Sequence, residues 1–323
     1  MTEAEAPHLP TVLTPLDLTV PIVSGSLEHS YCSYYRIDFE HRYRDVEHYF
    51  GAICAGQYQI ASHFYDLAGA QGSAIIVHGY YDHSGLFRHL IDYCLSRGYS
   101  VLVFDLPGHG LSSGRRASIG DFSDYQQVLA AVLNYVQPRA AGPWLGLAQS
   151  TGGAILAEYQ LATAESVFER LVLLAPLLYP VRWKTSLLAY KLLHRLIDKI
   201  PRGFSNNSHD GEFLEFLRSA DPLQADHLPL EWVGALARWI AHIRQLPASV
   251  AAPLIIQGDN DDTVDWEKNM PLYQQLFPDA SIHLLAGAKH QLVNERADIR
   301  GQVSALIDDY LGVVERVAGA DPE

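Results

Sequence analysis

Ala148-Gln149-Ser150-Thr151-Gly152-Gly153 decides how this chain is read. The stretch follows an apolar run, Trp144-Leu145-Gly146-Leu147, and precedes a helical pattern, Ala154-Ile155-Leu156-Ala157-Glu158-Tyr159. A serine between small residues at a strand-to-helix turn has the layout of a nucleophile elbow. Small neighbours matter because the two backbones come close there, so a larger side chain at 148 or 152 would collide. The turn lifts the hydroxyl clear of its own backbone and aims the helix N-terminus at it. The usual pattern is Gly-x-Ser-x-Gly, and Ala148 replaces the first glycine with one extra methyl. The alternative for this stretch alone is an ordinary strand-to-helix turn.

Working outward, the chain downstream of Ser150 supplies an acid and then a base, the order such sites use. Pro253-Leu254-Ile255-Ile256-Gln257-Gly258 reads as a buried strand. Asp259-Asn260-Asp261-Asp262 follows it on a loop, where an orienting carboxylate belongs. The spacing Gly258-x-x-Asp261-x-x-Val264 favours Asp261, while Asp259 and Asp262 fit capping and turn roles. After a helix from Trp266 to Phe277 and a strand at Ser281–Leu285, Gly287-Ala288-Lys289-His290 places His290 on a loop as the candidate base. His283, inside the strand, reads as a core or surface residue. In these roles His290 takes the Ser150 proton, and Asp261 fixes the imidazole tautomer.

An oxyanion needs two preorganised N–H donors. Thr151, next after the serine, offers one. The other is expected from Tyr80, because Ala74–Val77 reads as a strand and Gly79 lets the following loop turn. His78 is expected to hold that loop, and His83 to support it or line the pocket.

Taken together, His78-Gly79-Tyr80-Tyr81-Asp82-His83-Ser84, Phe104-Asp105-Leu106-Pro107-Gly108-His109-Gly110-Leu111-Ser112-Ser113-Gly114, the Ser150 elbow, Gly258-x-x-Asp261 and Gly287-Ala288-Lys289-His290 resemble the α/β-hydrolases. More narrowly they are similar to the monoacylglycerol lipase, lysophospholipase and serine aminopeptidase group, from about Gln57 onward. The resemblance implies the triad Ser150, Asp261 and His290, oxyanion amides from Tyr80 and Thr151, and a cap inserted after the strand that follows the elbow helix. It implies that Asp105 to Gly114 is a structural loop near the site.

The pattern of elements agrees with an α/β-hydrolase fold, a mostly parallel sheet covered by helices on both faces with an inserted helical cap. Strands and helices alternate from Gln57 to Pro176, and the rhythm resumes at Pro253. Residues 1–56 read as an N-terminal extension, 57–176 and 251–323 as the core, and 177–250 as a cap with helices and no convincing strand. Within the cap, Trp183, Leu187, Leu188, Leu192, Leu193, Leu196, Ile197 and Ile200 form an apolar stripe. Lys184, Lys191, Arg195 and Lys199 recur beside it. Such a basic amphipathic helix suggests contact with a lipid surface or anionic headgroup. The alternative is a stripe packed on the main domain with its lysines solvated.

At 323 residues and 48% hydrophobic content the chain can bury a large core. A net charge of −14 argues against nucleic acid as a partner. Cys32, Cys54 and Cys94 form no Cys-x-x-Cys and no disulfide framework, and Met1-Thr2-Glu3-Ala4-Glu5 lacks an apolar leader. A cytoplasmic protein, peripheral to membrane at most, is the expectation. The 15 histidines include no His-x-x-x-His or His-Glu-x-x-His pair, so they read as dispersed and no metal or other cofactor is expected. The sequence therefore points to hydrolysis of a lipophilic acyl ester, monoacylglycerol or lysophospholipid. An aminopeptidase or amidase using Glu212, Glu215 or Asp221 for a substrate amine is the alternative, as is a non-catalytic binding or scaffold protein.

Overall fold

In a computed structural model, the structure describes residue 9, residues 13–163 and residues 165–313. Most of the first twelve residues of the stretch read as an extension, including Met1 to Glu5, lie outside the described residues, as do 314–323. In chain order the elements are α1 (Leu27–Tyr35), β1 (Val46–Ala55), β2 (Tyr58–Leu67), β3 (Gly72–Val77), α2 (Arg88–Ser96), β4 (Tyr99–Phe104), α3 (Ser123–Val136), β5 (Trp144–Gln149), α4 (Thr151–Ala162) and β6 (Phe168–Leu174). Then come α5 (Trp183–Leu193), β7 (Lys199–Pro201), α6 (Gly211–Ser219), β8 (His227–Pro229), α7 (Leu230–Ile243), β9 (Leu254–Gly258), α8 (Trp266–Leu276), β10 (Ser281–Leu285) and α9 (Ala297–Leu311).

Eight strands form one sheet in the order β1-β2-β4-β3-β5-β6-β9-β10. β1 and β2 run antiparallel, as do β2 and β4, and the remaining pairs are parallel. Strand side chains alternate between faces, so each strand feeds two cores. Ile75, Val77, Leu102 and Phe104 pack beneath α3, α4 and α8, while Ala74, Ile76, Val101 and Val103 pack beneath α1, α2 and α9. The central strands are buried along their length, which is why they read as unbroken apolar runs.

The structure departs from the sequence reading in three places. The extension was bounded at Gly56, yet Val46–Ala55 is the edge strand of the sheet, paired with β2 residue for residue. Gly56 is the tip of the hairpin, with φ +60°, and a turn glycine reads like a linker glycine when its partner strand is unassigned. Residues 14–16 in turn lie along β1, with Leu16 N–H donating to Ala52 O at 2.9 Å. In the cap, β7 and β8 form a two-stranded antiparallel ribbon where no strand was expected. Each has three residues and ends in proline, too short to show a period.

The helix expected across the basic stripe is also shorter, ending at Leu193, so Arg195, Leu196 and Ile197 lie in the turn beyond it and Lys199 and Ile200 in β7. No residue of α5 is buried. Trp183 and Tyr190 face the core, with the Tyr190 ring fitted against the bare Cα of Gly234 on α7. Leu188, Leu192 and Leu196 face outward at 58%, 66% and 78% exposure. Among the described residues, no helix is long and apolar enough to cross a membrane.

Candidate active site

Ser150 sits between the end of β5 and the start of α4 with φ +54° and ψ −115°. A non-glycine residue adopts that backbone only under constraint, at a cost of about 1–3 kcal/mol. Its N–H donates to Leu174 O at 2.9 Å and its carbonyl accepts from Leu177 N at 3.0 Å, so the end of β6 pins the turn. A Cβ at Gly152 would stand 2.1 Å from the Val77 carbonyl oxygen, which forbids any side chain there. Ala148 is fully buried, so the methyl it adds at this position packs within the core.

The three candidate catalytic side chains converge. Ser150 Oγ lies 3.0 Å from His290 Nε2, and His290 Nδ1 lies 2.7 Å from Asp261 Oδ2. A Cβ at Gly258 would stand 2.2 Å from Ala288 O, so this glycine lets the loop bearing His290 come down beside the end of β9. Asp261 Oδ1 accepts from the amides of Thr263 and Val264, and Oδ2 accepts from Gln257 Nε2 at 2.9 Å. Burial pushes the Asp261 carboxyl up, but His290 and these N–H donors outweigh it and hold the group below its ordinary range. Burial likewise disfavours a charged His290, and the Asp261 carboxylate reverses that, raising the imidazole above its ordinary value. Of the competing aspartates, Asp259 accepts from Gly287 N in a turn and Asp262 is exposed.

The loop after β3 packs directly on the elbow. A Cβ at Gly79 would lie 3.2 Å from Ser150 Cβ, which places the Gly79–Tyr80 peptide beside the serine. Thr151 opens α4, where the first amides have no acceptor within the helix. The Tyr80 side chain turns away, donating to Ala117 O and stacking on Trp232 of the cap at 3.9 Å. His78 holds the loop. Its Nδ1–H donates to Gly79 O at 2.7 Å, and its Nε2 accepts from Leu106 N at 2.8 Å. Burial lowers His78 to about 3, so it stays neutral. His83 turns to the cap. It is fully buried and pairs with Asp221 of the cap at 3.1 Å.

Several polar residues behind the site were not singled out in the sequence. Gln149 Nε2 donates to Gln291 Oε1, and Gln291 Nε2 donates to both Asp82 oxygens at 3.0 Å, which ties the elbow, the histidine loop and the loop after β3 together. Burial raises the Asp82 carboxyl, and Gln291 offsets part of that. Glu295 accepts from Lys289 N and from both the backbone and ring of His209, which fixes the His290 loop to the cap. The available signal was a polar residue inside an apolar run, as Gln257 is in β9. For Gln291 and Glu295 the local pattern carried none. Of the carboxylates suggested for an amine, Asp221 is occupied by His83, Tyr35, Gln224 and Leu223 N, and Glu212 and Glu215 lie exposed on α6.

The family profile described as "Serine aminopeptidase, S33" matches residues 68–297. The chain belongs to that family. It is an α/β-hydrolase and a hydrolase. A protein named probable lysophospholipase L2, from Haemophilus influenzae, is 24% identical over 67% of this chain and 76% of its own length. A monoacylglycerol lipase from Mycolicibacterium smegmatis is 24% identical over 70% of this chain and 83% of its own. Among solved structures, a soluble variant of monoglyceride lipase from Saccharomyces cerevisiae, in complex with a substrate analog, superposes with a TM-score of 0.68. It shares 18% identity over 80% of this chain and 95% of that one. At such identity the likeness establishes the S33 member's fold and leaves its substrate to the site.

Proposed function

We propose that the protein is a serine hydrolase of carboxylic esters, with monoacylglycerol- or lysophospholipid-like acyl esters as its substrates. The observation that carries this reading is the continuous contact from Ser150 Oγ to His290 Nε2 and from His290 Nδ1 to Asp261. His290 Nε2 takes the serine proton as Oγ bonds the ester carbonyl carbon. The tetrahedral oxyanion takes the N–H groups of Tyr80 and Thr151. His290 then gives its proton to the departing alcohol, leaving an acyl group on Ser150. Water repeats the sequence in reverse and releases the acid.

The names of the similar proteins favour a lipid ester, and the outer face of the cap agrees with them. Leu188, Leu192 and Leu196 stand in solvent beside Lys184, Lys191 and Arg195, in a chain of net charge −14. An apolar ridge flanked by cations suits the interface of an anionic lipid surface. Lys199 lies further along the same cap, in β7.

The test is a set of hydrolysis rates with a Ser150→Ala control, across short- and long-chain esters, monoacylglycerol, lysophosphatidylcholine and aminoacyl amides. Serine-dependent preference for long acyl esters is expected. Preference for aminoacyl amides overturns the lipid reading but keeps the serine chemistry. Full activity in Ser150→Ala overturns both.

A further inference from the structure

Histidines that are scattered in sequence meet in the N-terminal region. His29 on α1 and His41 on the turn at Phe39–His41 face each other, with their Nε2 atoms 2.8 Å apart and rings nearly perpendicular. Glu40 joins them, and the ligand-capable atoms of the three lie within 4.8 Å of one another. Glu40 is held from behind by His48 Nδ1, which bonds its Oε2 at 2.9 Å. Its other oxygen, Oε1, is desolvated and has no hydrogen-bond partner among the described residues. A carboxylate oxygen out of water and without a donor is expensive. Nothing in the Ser150 chemistry uses these groups.

We propose that His29 Nε2, His41 Nε2 and Glu40 Oε1 form a site for a divalent cation of the zinc type, which staples α1 to the Phe39–His41 turn. Two imidazoles and one carboxylate make up a common three-ligand zinc set that leaves a position for solvent. His48 is the outer partner that orients the ligating carboxylate. Tetrahedral coordination at about 2.0–2.1 Å sets ligand nitrogens roughly 3.3 Å apart, so the two rings must part by about half an ångström. Neither ring is buried, which leaves them free to do so.

A neighbouring group, Cys32, His48 and His63, offers ligand types of its own but is a poorer host. His48 and His63 are fully buried and cannot part, and both ring nitrogens of His48 are taken, Nδ1 by Glu40 and Nε2 by His63. The Cys32 thiol is fully buried, and desolvation raises it well above its ordinary value, so a cation would have to expel its proton into the core.

The staple would act at a distance along α1. The last turn of that helix carries Tyr34, which donates to Ala220 O, and Tyr35, which donates to Asp221 Oδ1. Fixing the first turn of α1 therefore steadies the strut that meets the cap at the His83–Asp221 pair.

The experiment is calorimetric titration of the full-length protein with ZnCl2 after chelator treatment and dialysis, with thermal unfolding followed in parallel. One equivalent of Zn2+ is expected to bind and to raise Tm. Losing a ligand in His41→Ala or His29→Gln should weaken binding by more than the roughly 10–100-fold cost of losing an outer partner. Cys32→Ser and the exposed-residue control His194→Ala should bind like the parent. Ser150-dependent hydrolysis should persist in the His29 and His41 variants, which shows that they fold. No binding by the parent, undiminished binding by His41→Ala and His29→Gln, or loss of binding in Cys32→Ser would each overturn the site.

Discussion

Asp221, in the cap, and His83, on the loop that follows β3, form an ion pair at 3.1 Å with both side chains wholly out of solvent. Asp221 also accepts from Tyr35, Leu223 N and Gln224, and Gln224 reaches the carbonyl of Tyr81. One carboxylate thus binds the N-terminal region and the cap to the loop that carries the Tyr80 amide.

Removing that carboxylate should both destabilise the protein and alter its response to pH. Burial disfavours the charged imidazole, but Asp221 lifts His83 above its ordinary value. Asp221, despite burial, is driven well below the carboxylate range by His83 and its other donors. A raised histidine stabilises fully below its unfolded value and loses that contribution as pH rises through the folded one. A depressed aspartate stabilises fully above its unfolded value and loses it as pH falls. The pair therefore contributes most between about pH 4 and 6.5. Asp221→Asn should cost about 3–5 kcal/mol near pH 6. Denaturant unfolding from pH 6 to 8 should show the parent losing stability more steeply than the variant.

The elbow stores strain that glycine would release. At φ +54° and ψ −115° the Ser150 backbone suits a residue without Cβ. Ser150→Gly should abolish ester hydrolysis and raise Tm by about 2 °C, after the entropy that glycine adds to the unfolded chain is offset. A scanning calorimetry trace with a lowered Tm would show that the turn is not strained as described.

Activity should rise with pH along a limb set by His290. The imidazole must be neutral to accept the serine proton, and Asp261 raises its value above the ordinary 6.5. The limb in kcat/KM should therefore lie above pH 6.5. In Asp261→Asn it should move downward, with activity reduced on the order of ten-thousand-fold, as loss of the orienting carboxylate does in serine hydrolases. An unmoved limb would assign the titration to another group.

The outer face of α5 should matter only at lipid surfaces. Leu188→Asp with Leu192→Asp is expected to abolish flotation with anionic vesicles and to slow hydrolysis of long-chain esters presented in them. Rates on a short, water-soluble ester should stay at the parent level. Equal loss on both substrates would place these leucines in cap folding instead.

The sheet's centre and the three candidate catalytic positions were legible because local pattern and local chemistry coincide there. An apolar run ending in Gly258 announces both a buried strand and a close backbone approach. Ser150 is announced by what its neighbours lack, above all at Gly152. β1 was obscured because its strand character depends on β2 across a hairpin whose glycine resembles a linker. The contacts Gln149–Gln291 and Gln291–Asp82 join residues distant in sequence, so no local window contains them. The meeting of His29 and His41 is hidden for the same reason. His83 lies on the loop after β3, but its partner Asp221 lies on the cap and no spacing indicates it.

The most direct test of the account is to trap the acyl intermediate. The protein would be mixed with a p-nitrophenyl ester of a long-chain acid, quenched in acid within the first turnover and mapped by peptide mass. The account predicts one acyl group per chain, on the peptide containing Ser150, and none in Ser150→Ala. Turnover with no adduct at Ser150, or with an adduct on another residue, would contradict it.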